Sequence, residues 1–328
     1  MRYLKLLMLT PFCMPIAASE YERDYFSLSF ENDVFFHEDG GYSNGLVFSW
    51  GYYDVPGLDK TTLPRWISFL ADQTYLPSLE DRQYAISYTF GQFLQTAVEI
   101  KDPDLVTEDA PYVGLLAWEV DVTAFNEHVA DKLSLTLGVV GPLAGGEYVQ
   151  KNIHGWIGAS EPMGWDNQIN NEPVFRVQAK RIWRNAVLPI GPTEVDLITG
   201  VNGGLGNLKS DTSAGVGLRW GQELQSSFAS SSPFAVQKLN GLTTSPNGWY
   251  VFVNASASYV LNDIFMDGNT FSDSHSVDLI HWQAAASIGA QLNLYDWNFI
   301  YTLIYSTDQY KSQTEDTRFG TISITYHF

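Results

Sequence analysis

At the end of the chain Ile322, Ile324, Tyr326 and Phe328 alternate with Thr321, Ser323, Thr325 and His327. A period of two gives an extended segment one apolar face and one polar face. The same alternation recurs upstream. In 249–259, Trp249, Val251, Val253 and Tyr259 oppose Asn254, Ser256 and Ser258; in 297–306, Trp297, Phe299, Tyr301, Leu303 and Tyr305 oppose Asn298, Thr302 and Ser306. Half-buried strands of a soluble sandwich alternate too. A last strand that ends on an aromatic in the apolar register, however, is the pattern of bacterial outer-membrane barrels, and Tyr and Trp at strand ends suit the girdles at membrane interfaces.

The pattern predicts strands at 24–31, 43–53, 83–92, 113–125, 131–140, 173–184, 193–203, 212–222, 249–261, 278–292, 295–308 and 318–328. The run 212–222 is the weakest. The expected fold is all-β, a transmembrane antiparallel β-barrel of about 12 strands of the outer-membrane type, an even number as closure requires. With both termini periplasmic, the outward connections are 32–42, 93–112, 141–172, 204–211, 262–277 and 309–317. The returning connections are mostly short, as at Tyr295-Asp296 and Asn185 to Pro192. Two are long. Segment 54–82 contains Leu63-Pro64-Arg65-Trp66-Ile67-Ser68-Phe69-Leu70, a short amphipathic turn of helix expected on the inner-leaflet surface. Segment 223–248, rich in Ser, Thr, Asn, Gly and Pro, reads as a flexible or plug-like excursion.

The first residues change the picture only by adding export. Met1-Arg2-Tyr3-Leu4-Lys5, the apolar run Leu6 to Ile16, and Ala17-Ala18-Ser19 follow the order of a cleaved secretory signal peptide. The expected organisation is therefore a signal peptide at 1–19 and a single barrel domain at 20–328, in the bacterial outer membrane. The sole cysteine, Cys13, falls in the signal segment, so the exported domain does without disulfides. A formal net charge of −19 argues against nucleic acid as a partner, because phosphates would be repelled.

Three polar clusters stand out against this background, each in an outward connection after an odd-numbered strand. They are Glu31-Asn32-Asp33 with Tyr42-Ser43-Asn44-Gly45, the stretch Lys101 to Asp109, and Gln150 to Glu172 with His154. Asn, Asp, Ser and Gly also favour turns for backbone reasons, and a loop histidine is commonly just solvated. A carboxylate that ends an apolar strand at interface height is nonetheless costly without a role, and a neutral imidazole is well suited to take a proton from water. Glu147, Asp166 and Glu172 are further oxygen donors in the third cluster. The residues alone leave turn chemistry and hydrolytic chemistry both open.

Taken in order, Glu31-Asn32-Asp33, Tyr42-Ser43-Asn44-Gly45, Gln150 with His154, and Gly164-Trp165-Asp166 with Gln168 resemble the lipid A 3'-O-deacylase family of outer-membrane barrels. The resemblance implies a twelve-stranded barrel that uses calcium to remove an ester-linked acyloxyacyl chain from the 3'-position of lipid A, the lipopolysaccharide anchor of the outer leaflet. By position it makes His154 the general base, puts Asn32 and Asp33 in the catalytic cluster and beside the calcium ion, matches Ser43 to the family's hydroxyl, and matches Lys101 to a basic residue of the second outer loop. One departure is Ala110 after Asp109, where relatives usually carry Arg. The competing readings are a non-enzymatic pore or adhesin, and a phospholipase with the same ester chemistry.

Overall fold

In lipid, strands can satisfy their backbone groups only by closing the sheet on itself. A computed structural model of the protein has this closure. It describes residues 24–32, 41–55, 57–58, 65–157, 160–228, 231–234 and 247–328, with backbone only for 41–43, 54 and 157. The expected signal segment 1–19 lies outside the described residues.

The strands are β1 (Tyr25–Asn32), β2 (Gly41–Val55), β3 (Gln83–Thr96), β4 (Val113–Phe125), β5 (Val129–Val140), β6 (Glu172–Ile190), β7 (Thr193–Leu205), β8 (Lys209–Gly221), β9 (Asn247–Asp263), β10 (Trp282–Leu294), β11 (Trp297–Ser306) and β12 (Thr317–His327). Each pairs with its sequence neighbours, and β1 pairs antiparallel with β12 to close the barrel. The seam is zipped from inside, where Ser29 Oγ meets Ser323 Oγ at 2.7 Å and Thr325 Oγ1 donates to Ser27 Oγ at 2.8 Å. Phe26, Leu28, Ile322 and Ile324 point the other way and are exposed. The polar face is the lumen and the apolar face is the lipid side.

Several strand boundaries differ from those the alternation predicts, most of all in β6 and β10. Residues 185–190, expected in a turn, extend β6, and the true turn is at Gly191, whose φ of +61° suits glycine. A bulge at Asn185, between Arg184 and Ala186, shifts the alternation by one residue, so that Arg184 pairs with Ile198 and Val187 with Asp196. Strand β10 begins only at Trp282, and the stretch before it packs through Met266, Val277 and Leu279 against Ala110 and Tyr310. The weakest run is a full strand, β8.

Both long returning connections turn back onto the barrel. The stretch after β8 enters the lumen: Phe228 packs among Ala130, Ile182 and Ile198, and Cβ atoms built on Gly200 and Gly215 would meet Pro233 and Phe234. Asp196 anchors this end, accepting from Arg184 Nε at 2.6 Å and Arg219 Nε at 2.9 Å, while Arg219 Nη1 donates to Ser227 Oγ at 3.1 Å. Between this plug and the mouth lies a cavity of about 410 Å³ lined by paired charges such as Lys132 with Asp121 and Lys209 with Asp263. The stretch after β2 takes the opposite course and lies on the outer wall, with helix α1 at Arg65–Asp72.

Candidate active site on the outer wall

Strand parity decides which way each rim residue points. On β1 the exposed apolar residues Phe26 and Leu28 occupy even positions, and Asn32 shares that parity. Asn32 stands opposite Asn44, which shares the parity of the exposed Leu46 and Phe48 on β2. Asn44 faces Leu94 on β3, and Leu94 faces Gly114 on β4. These four residues form a row around the outside of the rim, not around the lumen. Ser43 is the extra residue of a bulge, between the pairs Tyr42 with Gln95 and Asn44 with Leu94. Its backbone therefore lies beside Asn44 at the end of this row. Asp33, the residue after Asn32, lies outside the described residues.

Helix α2 (Gly146–Ile157) is held over the same row. Gln92, also of outward parity, donates from Nε2 to the carbonyl oxygen of Ala144 at 2.6 Å, just before the helix begins. A Cβ on Gly146 would sit 2.9 Å from Leu94 Cδ2 and 2.6 Å from the Trp165 indole, so only glycine lets the helix start this close to the wall. Trp165 is fully buried, donates from Nε1 to Gln150 Oε1 at 2.8 Å, and meets Tyr112 edge-on at 5.2 Å between centroids. Gln150 thus fixes one face of the helix, and His154 follows one turn later on that face.

His154 is half-buried, with Nδ1 2.6 Å from the carbonyl oxygen of Ser160. A carbonyl oxygen can only accept, so Nδ1 carries a proton, and of the two neutral tautomers the contact selects the one with Nε2 as the acceptor. That is the tautomer a general base needs. Lys101 is exposed in the second outer loop. Its neighbours are stitched to the third: Met163 N–H donates to Ile100 O at 2.7 Å, and Asn167 Nδ2 donates to Pro103 O at 2.9 Å. Lys101 is therefore carried by a loop segment that is tied to the one following α2.

Other polar residues of the clusters serve the loops. Glu172 accepts from Asn207 Nδ2 and Asn269 Nδ2, both at 3.1 Å, and from the N–H groups of Thr270 and Phe271. Asp109 accepts from Val98 N–H at 2.7 Å and Tyr310 hydroxyl at 2.9 Å. Glu147 pairs with Lys151 at 2.9 Å on the helix surface. Glu172 and Glu147 thus each have partners within the protein. Among the described residues no group of three or more His, Cys, Asp or Glu side chains could hold a metal. The donors at the Asn32 end, the Asn32 amide oxygen with Asp33 next in sequence, are hard oxygens of the kind calcium takes.

Gln92 carries a role that the sequence reading passed over. Its signal is that it is the first amide to follow Ile86, Tyr88 and Phe90 on the outward positions of β3. An amide in that register needs a partner supplied from outside the barrel.

The model of the LpxR outer membrane protein family matches residues 4–328, nearly the whole chain. The chain belongs to the LpxR family. Among solved structures, LpxR from Salmonella typhimurium superposes with a TM-score of 0.76 at 18% identity, covering 93% of this chain and 100% of that one. Two autotransporter barrels are less alike: the Bordetella BrkA β-domain has a TM-score of 0.44 at 8% identity (94% and 100% covered), and the Neisseria meningitidis NalP translocator domain 0.40 at 12% (93% and 88%). No curated protein sequence matches the chain. Membership of the LpxR family and the twelve-stranded closed barrel together make this an outer-membrane barrel.

Proposed function

We propose that this LpxR-family barrel is an esterase of the outer leaflet that removes the 3'-O-linked acyloxyacyl chain of lipid A. The observation that carries the proposal is parity: Asn32, Asn44 and Gln92 lie on the lipid-facing side of the wall, and the helix bearing His154 is fastened over that side. A substrate held in the leaflet reaches such a site laterally, while a solute in the lumen does not.

In the proposed reaction His154 Nε2 takes a proton from water, and the hydroxide attacks the ester carbonyl carbon. The tetrahedral intermediate collapses with cleavage of the bond to the sugar oxygen, and the imidazolium returns its proton to that leaving oxygen. The Ser160 carbonyl holds the ring in one orientation throughout. The Asn32 amide and the Ser43 hydroxyl orient the ester, and Lys101, carried on an exposed loop, meets a lipid A phosphate. Asn32 and Asp33 would hold calcium, whose charge supplies Lewis-acid stabilisation to the carbonyl oxygen.

The pore reading meets a lumen filled from one end by Phe228, Pro233 and Phe234. The phospholipase reading differs only in substrate. Purified protein in detergent micelles is therefore offered lipid A and a glycerophospholipid in parallel, with calcium or with a chelator. Release of acyloxyacyl acid from lipid A alone, lost with the chelator, is expected. Fatty acid released from the glycerophospholipid instead would move the assignment to a phospholipase, and release from neither would remove the esterase.

A further inference from the structure

The connection between β2 and β3 does not hang free below the barrel. Ile67, Ala71 and Leu76 pack against Ile86, Val120 and Val122, together with Val55 and Ala124. These strand residues have outward parity, because Thr89, Glu119 and Asp121 on the alternate positions line the lumen cavity. Residues that would otherwise face lipid are thus buried, Ile86 at 1% exposure, by a helix docked outside the wall.

A polar clasp fixes the height of this helix. Asp131, at 0% exposure, also has outward parity, close to the end of the barrel that carries both chain termini. It accepts from the Tyr75 hydroxyl at 3.0 Å and from Arg181 Nε at 2.6 Å, with Arg82 at 4.0 Å. A buried carboxylate on the lipid side is tolerated when so paired, and interface height is where the pairing costs least.

The other face of α1 is apolar and uncovered. Trp66, Phe69 and Leu70, spaced i, i+3 and i+4 on one side of the helix, are 41%, 61% and 42% exposed. Trp66 lies 5.7 Å from Trp118, whose ring stacks at 6.3 Å on Tyr88, which stacks at 5.7 Å on Trp50. The exposed face therefore continues the aromatic girdle of the lipid-facing wall.

We propose that α1 is an interfacial helix docked on the barrel wall, with Trp66, Phe69 and Leu70 inserted among the phospholipids of the periplasmic leaflet. The leaflet follows from topology, since the end carrying both termini is the periplasmic one in outer-membrane barrels. An amphipathic helix lying in the interface buries its apolar face at the boundary of headgroups and acyl chains. Here the wall covers one apolar stripe and lipid covers the other, so the barrel is held at one depth without a further transmembrane element. The inference goes beyond the esterase reading and stands or falls apart from it.

Spin labels at Phe69→Cys and, separately, Leu70→Cys, in a Cys13→Ser background and in phospholipid vesicles, test it. The references are Phe90→Cys on the lipid-facing wall and Glu80→Cys on the exposed end of the connection. Oxygen is expected to relax the labels at 69 and 70 as it does at 90, with a collision rate for a water-soluble nickel chelate several-fold below that at 80. Nickel access at 69 and 70 equal to that at 80 would overturn the proposal, as would shielding from both relaxants, which would mean a protein partner. Heat-modifiable migration shows that each variant is folded, and either position alone suffices.

Discussion

Gln92 on the barrel wall donates a hydrogen bond to the carbonyl oxygen of Ala144 at 2.6 Å, and so fastens the start of α2 to the outside of the rim. Gln92→Leu removes the donor and leaves a carbonyl unpaired at a cost of about 1–3 kcal/mol. Hydrogen exchange is expected to rise in 146–157 and to stay unchanged in the strands.

The buried pair of Trp165 and Gln150 sets the face that the helix presents. Trp165→Phe leaves the Gln150 oxygen without its donor and opens space beside Gly146, for a loss of about 2–4 kcal/mol of local stability. In a double-mutant cycle Gln150→Leu recovers part of that loss, because no polar atom is then left unpaired. Limited proteolysis of 141–172 reads the difference.

Asp196 lies between Arg184 and Arg219 beneath the plug. Asp196→Ala buries two guanidinium groups without their common partner and is expected to cost about 3–5 kcal/mol in urea-dependent folding into vesicles. In planar bilayers the intact chain is expected to be electrically silent, and deletion of 224–234 to produce conducting steps. Steps from the intact chain would show that the plug does not seal.

Burial pushes the Tyr112 phenol up to about 12, and the Asp109, Glu99 and Asp102 carboxylates add to the rise, against a lowering contact from the Gly164 backbone. The folded pKa is thus raised. The neutral ring's contribution is complete below the ordinary tyrosine value of about 10 and is lost as pH climbs from there through about 12. Near-UV circular dichroism of the Trp165 environment is expected to be flat from pH 7 to the lower bound of that window and to fall across it. Tyr112→Phe is expected to remove the transition.

Alternation revealed the barrel because lipid outside and polar side chains inside impose a period of two on nearly every strand. It failed where a strand carried turn residues in its interior: Asn185 reads as a breaker but sits in a bulge, and β6 runs on to Ile190. The Ser-rich run before Phe234 read equally as a flexible or a plug-like excursion, since a polar lumen accepts what solvent accepts. Of the site, the clusters around Asn32, Ser43 and His154 stood out as polar residues ending apolar runs. Gln92 did not, because one amide in a strand gains meaning only once Ala144 is seen to cover it from outside. That α1 lies against the wall was equally hidden, since Ile86 and Val120 have the same pattern whether lipid or a helix covers them.

The most direct test of the function is mass spectrometry of lipid A from cells producing this chain, beside cells producing equal amounts of folded His154→Ala. Lipid A lacking one acyloxyacyl unit is expected only with the unaltered chain. An identical loss with His154→Ala would contradict the assignment of the base, and unchanged lipid A from both, with calcium present, would contradict the esterase itself.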